Sequence, residues 1–129
     1  MILVDTSIWI GLLNGWLRKR VSPDDMAGFL TCGPIVQEVL QGLRDAPASQ
    51  SFRLHFLELS KLSDPLPMSI FLAAAEIYRD GRAKGVTIRS STDCLIAAIA
   101  IENDVPIWHR DRDFSEIAKY TRLKVVARH

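Results

Sequence analysis

The sequence predicts an α/β fold, a parallel sheet of three to five short strands with helices on its faces. Three observations predict it. Short apolar runs, "MILV" at 1–4, "VPIW" at 105–108 and "LKVVA" at 123–127, read as buried strands. Segments with helical spacing of apolar residues fill the chain between them, which is the pattern of a sheet covered by helices. One of these, "CLIAAIAI" at 94–101, is apolar all round and so belongs in the interior.

The elements follow in order. Asp5 ends the first strand, and "TSIWIGLLNGW" places Trp9, Leu12, Leu13 and Trp16 at i, i+3, i+4 and i+7, a helix that Gly15 can stop. That stripe reads as core, with the two tryptophans leaving room for a partner surface. After the basic loop "RKRV", Ser22-Pro23 is a helix entry, and a short helix or turn is expected through "DDMAGFL". Gly33-Pro34 opens a helix over "PIVQEVLQGL", and Ala46-Pro47 opens another that should run to about Leu62, with Phe52, Phe56 and Leu59 on one face. "DPLPM" is an extended break. "SIFLAAAEIYRDGRAKG" is a helix closed by Gly85, "SSTDCLIAAIAIEND" a buried one, and "SEIAKY" a short one between the last two strands. Repeats, low-complexity segments and linkers are absent from the sequence, so residues 1–129 form a single domain.

Composition limits the function classes. A hydrophobic fraction of 48% with 24% charged residues fits a globular chain and argues against disorder. A net charge of +1 gives no overall basic field, so a nucleic-acid site must rest on local clusters. Such clusters are Arg18, Lys19 and Arg20; Arg79, Arg82, Lys84 and Arg89; Arg110 and Arg112; and Arg122, Lys124 and Arg128. Two cysteines, Cys32 and Cys94, are too few for a disulfide scaffold and read as buried free thiols. The apolar N-terminus lacks a basic leading segment and is broken by Asp5, so it is not a signal peptide, and no run reaches the roughly 20 residues of a membrane span. A cytoplasmic location is expected.

The acids are the informative residues. Ligands of open parallel sheets bind beyond the carboxyl ends of strands. Asp5 follows the first strand, Asp111 and Asp113 follow "VPIW", and Asp93 lies in the first turn of the buried helix before it. Convergent carboxylates raise one another's pKa unless a cation neutralises them, and hard divalent ions choose oxygen ligands. Each acid also has a structural reading. Asp5 can cap the helix at Thr6, Asp93 can complete a capping box begun by Ser90, and Asp113 can cap "SEIAKY". Asp111 has no evident capping role. Spacing turns Glu38 away from the stripe of Ile35, Val36, Val39, Leu40 and Leu43, so by spacing it is a solvated helix residue. Arg110 and Arg112 suit either phosphate binding or ion pairs with the adjacent aspartates. The histidines, at 55, 109 and 129, are scattered; His109 alone is near the acids and reads as a bystander.

Four segments, "ILVDTSIWI", "PIVQEVLQGL", "STDCLIAAIA" and "WHRDRDF", occur in an order and spacing that resemble the PIN-domain ribonucleases, in particular the VapC toxins of toxin–antitoxin pairs. The resemblance spans nearly the whole chain. It implies a PIN-like three-layer sandwich with a central parallel sheet of four or five short strands. It also implies a metal-dependent endoribonuclease acting on RNA, tRNA or rRNA, with Mg²⁺ or Mn²⁺ as cofactor. By resemblance the catalytic residues are Asp5, Glu38, Asp93 and Asp111, the metal ligands Asp5, Asp93 and Asp111, and Asp113 an auxiliary acid. Thr6 and Ser7 match the hydroxyl residues beside the first acid, and Arg110 and Arg112 would hold RNA. A homodimer and a cognate VapB-type antitoxin are the implied partners. The divalent ion would activate a water for attack and neutralise charge on the phosphate oxygens. Two rivals stand beside this reading. A haloacid-dehalogenase-type phosphatase also has an Asp after its first strand, but its second Asp would fall at position 7, which is serine. A non-catalytic PIN-like binding module would tend to lose acids, whereas all of them are present here.

Overall fold

The structure, a computed structural model, describes residues 1–15 and 23–126. Trp16, Arg18, Lys19, Arg20, Ser22, Arg128 and His129 lie outside the described residues.

The elements are β1 (Ile2–Val4), α1 (Thr6–Leu13), α2 (Pro23–Met26), β2 (Phe29–Cys32), α3 (Gly33–Gln41), α4 (Pro47–Leu57), β3 (Ser60–Leu62), α5 (Met68–Ala83), α6 (Ser91–Glu102), β4 (Ile107–Trp108), α7 (Arg112–Ala118) and β5 (Val125–Val126). Five strands form one sheet in the order β3-β2-β1-β4-β5, and every neighbouring pair is parallel. The chain builds outward from β1 through β2 to β3, then crosses to the other side of β1 to lay down β4 and β5. The order therefore reverses between β1 and β4, and ligands of open α/β sheets bind beyond the carboxyl ends of strands at such a point.

Two sequence expectations need correction, and both concern strands. "DDMAGFL" was expected to be a helix or turn, but the helix stops at Met26 and Phe29 starts β2. All four residues of β2 are buried, so the run shows no alternation that would separate a strand from a helix turn. The helix from Pro47 was expected to reach Leu62, but it ends at Leu57 and Ser60–Leu62 is β3. This is an edge strand with Ser60 and Lys61 exposed, so it carries no apolar signature; pairing of its backbone with Leu30, Thr31 and Cys32 makes it a strand.

The core lies on both sides of the sheet. Trp9 is buried against Phe29, Phe52 and Phe56, with ring centroids 5.1–5.9 Å apart and edges meeting faces. On the other side α6 buries Cys94 and the run Ile96, Ala97, Ala98, Ile99 and Ala100, as its all-round apolarity requires. Gly81 lets α5 come close to the segment after α7: a Cβ there would stand 2.6 Å from the Tyr120 hydroxyl, which donates to the Ile77 carbonyl at 2.8 Å. Cys32 and Cys94 are buried free thiols, and burial pushes them up to about 12 and about 11.

Candidate metal centre

Register brings the acids together. Leu3 pairs with Ile107 and Val4 with Trp108, and the Asp5 N–H donates to the Trp108 carbonyl at 3.0 Å. The residues after the two strands therefore start side by side. Asp5 takes the capping role that its position predicts. It caps α1, its Oδ2 accepting from the Ser7 N–H at 3.0 Å and the Ser7 hydroxyl at 2.6 Å, and it is 4% exposed. The same Ser7 oxygen accepts from the Arg110 N–H at 3.0 Å, so one hydroxyl ties the end of β1 to the end of β4.

The capping readings of the other acids change. Helix α7 starts at Arg112, nearer the strand than "SEIAKY" suggested. Its cap is thus Asp111, which accepts from the Asp113 N–H at 2.9 Å, and not Asp113. Asp113 falls in the first turn with its carboxylate 3% exposed. Ser90 caps α6 through its backbone conformation but makes no side-chain cap bond, so no capping box engages Asp93. Asp93 instead turns inward, 7% exposed, with Asp111 close beside it.

One carboxylate oxygen each from Asp93, Asp111 and Asp113 lies within 4.8 Å of the others. The tightest triad therefore includes Asp113, which the sequence analysis placed as an auxiliary. Asp5 stands beside it, near enough for its charge to raise Asp93 and for that of Asp111 to raise Asp5. Burial pushes the Asp93 carboxyl up to about 8, reinforced by Asp111. Burial also raises Asp5, opposed by its bonds to Ser7. Glu38 is half-buried and accepts from the Thr6 hydroxyl at 3.0 Å, which ties α3 to the start of α1. It is not part of the carboxylate triad, and it lies near Cys32, whose thiol the charges of Asp5 and Glu38 push further up.

Two residues were missed. Arg89 donates its backbone N–H to Asp113 Oδ2 at 3.1 Å, and its guanidinium lies 3.7 Å from Asp113 and 3.9 Å from Asp111. Its only sequence signal was membership of a basic cluster, since 24 residues separate it from Asp113. His109 has structural contacts in the turn before α7. Its Nδ1 accepts from the Asp111 N–H at 3.1 Å, its ring packs on Phe114 at 5.3 Å, and burial lowers its pKa. The ring shapes the turn that carries Asp111.

The donor set fits a hard divalent cation. It is made of oxygens, it is largely buried, and burial, with the neighbouring carboxylates second, raises Asp93 and Asp5, so a bound cation would favour their charged forms. Comparison with known proteins accords with this geometry. The PIN domain family matches over residues 2–120. The chain belongs to the PIN domain family. Ribonuclease VapC11 of Mycobacterium tuberculosis (strain H37Rv) is 36% identical to it across 135 aligned positions, covering 98% of each chain. A VapC ribonuclease of Mycobacterium bovis matches to the same extent. Among solved structures, VapBC-1 of nontypeable Haemophilus influenzae superposes with a TM-score of 0.69 at 17% identity, covering 98% of this chain and 97% of that one. VapBC2 of Rickettsia felis, bound to a promoter DNA fragment, gives 0.68 at 18% identity and 98% coverage of both. At these identities the structural likeness establishes a shared PIN fold.

Proposed function

We propose that this PIN domain is a metal-dependent endoribonuclease toxin that hydrolyses RNA phosphodiester bonds, in tRNA or rRNA, and is neutralised by a cognate VapB-type antitoxin. The observation that carries the reading is the carboxylate cluster of Asp93, Asp111 and Asp113, flanked by Asp5, at the β1/β4 reversal of a sheet whose near-full-length relatives are named ribonucleases.

Asp5, Asp93 and Asp111 would hold Mg²⁺ or Mn²⁺, with Asp113 closing the set and Glu38 assisting from the α3 side. When bound, the ion supplies an activated water and offsets charge on the phosphate being cleaved. The chain's own residues do the positioning. Ser7 orients the Asp5 carboxylate and holds the β4 end against it. Thr6 does the same for Glu38. Beside Asp111, a groove of about 370 Å³ is lined by His109, Arg110, Arg112 and Ser115, and both arginines are exposed there. Guanidinium groups next to the acids suit a phosphate backbone, which local charge must attract because the net charge is +1.

An apolar groove of about 600 Å³, with Trp9, Ile10, Leu13, Met26 and Phe52 in its lining, supports a seat for the antitoxin. Exposed Met68, Phe71 and Leu72 on α5 support a homodimer surface. Free buried thiols support a cytoplasmic site of action, and no helix among the described residues is long and apolar enough to cross a membrane. The phosphatase rival is weakened at Ser7, whose hydroxyl is committed to Asp5 where a second carboxylate would be needed.

The test is cleavage of total RNA by the purified, antitoxin-free chain with Mg²⁺, Mn²⁺ or EDTA, beside Asp93→Asn. Cleavage that requires the metal and disappears in the variant is expected. Mn²⁺ binding without cleavage of any RNA would overturn the ribonuclease, and no metal binding would leave a binding module.

A further inference from the structure

Arg89 lies between α5 and α6, four residues before Asp93, and faces the acids in two ways. Its backbone N–H fixes Asp113 Oδ2 at 3.1 Å. Its guanidinium approaches more loosely, with Nε 3.7 Å from Asp113 Oδ1 and Nη2 3.9 Å from Asp111 Oδ1. Tight charge-assisted bonds are about 2.8 Å. The side chain is 66% exposed, so the guanidinium is a counter-ion at the mouth of the cluster and not a buried strut. The carboxylate atom nearest Nη2, Asp111 Oδ1, is also the one that receives the Asp113 N–H.

We infer that Arg89 exchanges partners. In the metal-free chain its guanidinium offsets the charge of Asp111 and Asp113; once a divalent ion engages those carboxylates, it turns to a phosphate of the RNA strand. This rests on the ribonuclease reading above. The physical basis is that two cations compete for the same oxygens. A guanidinium about 4 Å from a carboxylate opposes the approach of a dication to that carboxylate. The repelled side chain is long, exposed and already at the rim, where phosphate oxygens match its planar fork. Arg89 therefore weakens metal binding and strengthens substrate binding. A residue that only held the fold together would affect both in the same direction.

The experiment titrates Mn²⁺ calorimetrically into the metal-free full chain, wild type, Arg89→Gln and Arg89→Lys, and measures RNA cleavage for each. Every variant keeps the backbone N–H to Asp113, so the guanidinium alone is tested. Far-UV circular dichroism confirms the fold, and Arg89→Lys, which keeps the charge, should bind Mn²⁺ like wild type. Arg89→Gln should bind Mn²⁺ about fivefold tighter at low salt, with the gap closing at about 0.5 M KCl. Its KM for RNA should rise about tenfold with kcat little changed. Unchanged or weaker Mn²⁺ binding in folded Arg89→Gln would overturn the exchange even where wild type cleaves RNA, leaving the ribonuclease intact. Tighter Mn²⁺ binding with an unmoved KM would overturn the phosphate half. A wild-type chain that binds Mn²⁺ but cleaves no RNA would instead sink the ribonuclease reading, and the phosphate half with it.

Discussion

Replacing Asp93 with asparagine should stabilise the metal-free chain while removing its activity. Asp93 is 7% exposed, and burial together with the charge of Asp111 pushes its carboxyl up to about 8 from an ordinary 3.8. Between those values the folded chain holds a proton that the unfolded chain has released. Stability must therefore fall as pH rises from about 4, and the loss is complete near pH 8. Roughly four pH decades at about 1.4 kcal/mol each set a ceiling of about 6 kcal/mol. Water entry and reorientation of the neighbouring acids reduce it, and about 2 kcal/mol is the expected size. Asparagine keeps the shape and can hydrogen-bond to Asp111, but it brings no charge. For a chain of this length about 1 kcal/mol moves Tm by roughly 4 °C. Asp93→Asn should thus melt about 8 °C above wild type at pH 8 in EDTA, with the gap closing toward pH 4. Excess Mn²⁺ should reverse the order, because wild type gains about 2.7 kcal/mol at a hundredfold excess over Kd and the variant does not. The assay is thermal denaturation by circular dichroism across this pH range. Equal melting of the two chains at pH 8 in EDTA, with no pH trend, would refute the reasoning and mean that the cluster is already neutralised from within.

Two other substitutions probe the supports of the site and fold. Ser7→Ala removes the 2.6 Å bond to Asp5 and the acceptor of the Arg110 N–H, so RNA turnover should drop about tenfold with the fold retained, read by single-turnover cleavage. Gly81→Ala drives a methyl against the Tyr120 hydroxyl, 2.6 Å away, and should cost about 2 kcal/mol in urea denaturation. Tyr120→Phe loses the bond to Ile77 for about 1 kcal/mol, and the double variant should cost less than the sum because the clashing oxygen is gone.

Legibility in the sequence tracked how locally each feature is determined. β1 and β4 and the buried α6 were readable because burial on both faces demands apolar runs, and the runs are there. β2 was hidden because a fully buried strand of four residues looks like a helix turn, and β3 because a polar edge strand is defined by its partner and not by its own side chains. Among the site residues, Asp5, Asp93 and Asp111 stood out by their position at strand ends and at a helix head. Asp113 and Asp111 exchanged the capping role because the start of α7 shifted by a few residues, a scale at which helix boundaries are not fixed by local pattern.

By itself the sequence determined the α/β class, the order of the helices and the acids at strand ends, since period, capping residues and apolar runs act over a few residues. Resemblance added the family and the expectation of a role for Glu38. Tertiary structure alone decided the rest. Glu38 meets Thr6 across 32 residues, and Arg89 meets Asp113 across 24. Such contacts depend on sheet order and register, which the chain settles only when distant strands pair and bury their shared face. The same long-range closure gathers Asp93, Asp111 and Asp113 within 4.8 Å, a congregation of like charges that no local preference favours and that the packed core around them sustains.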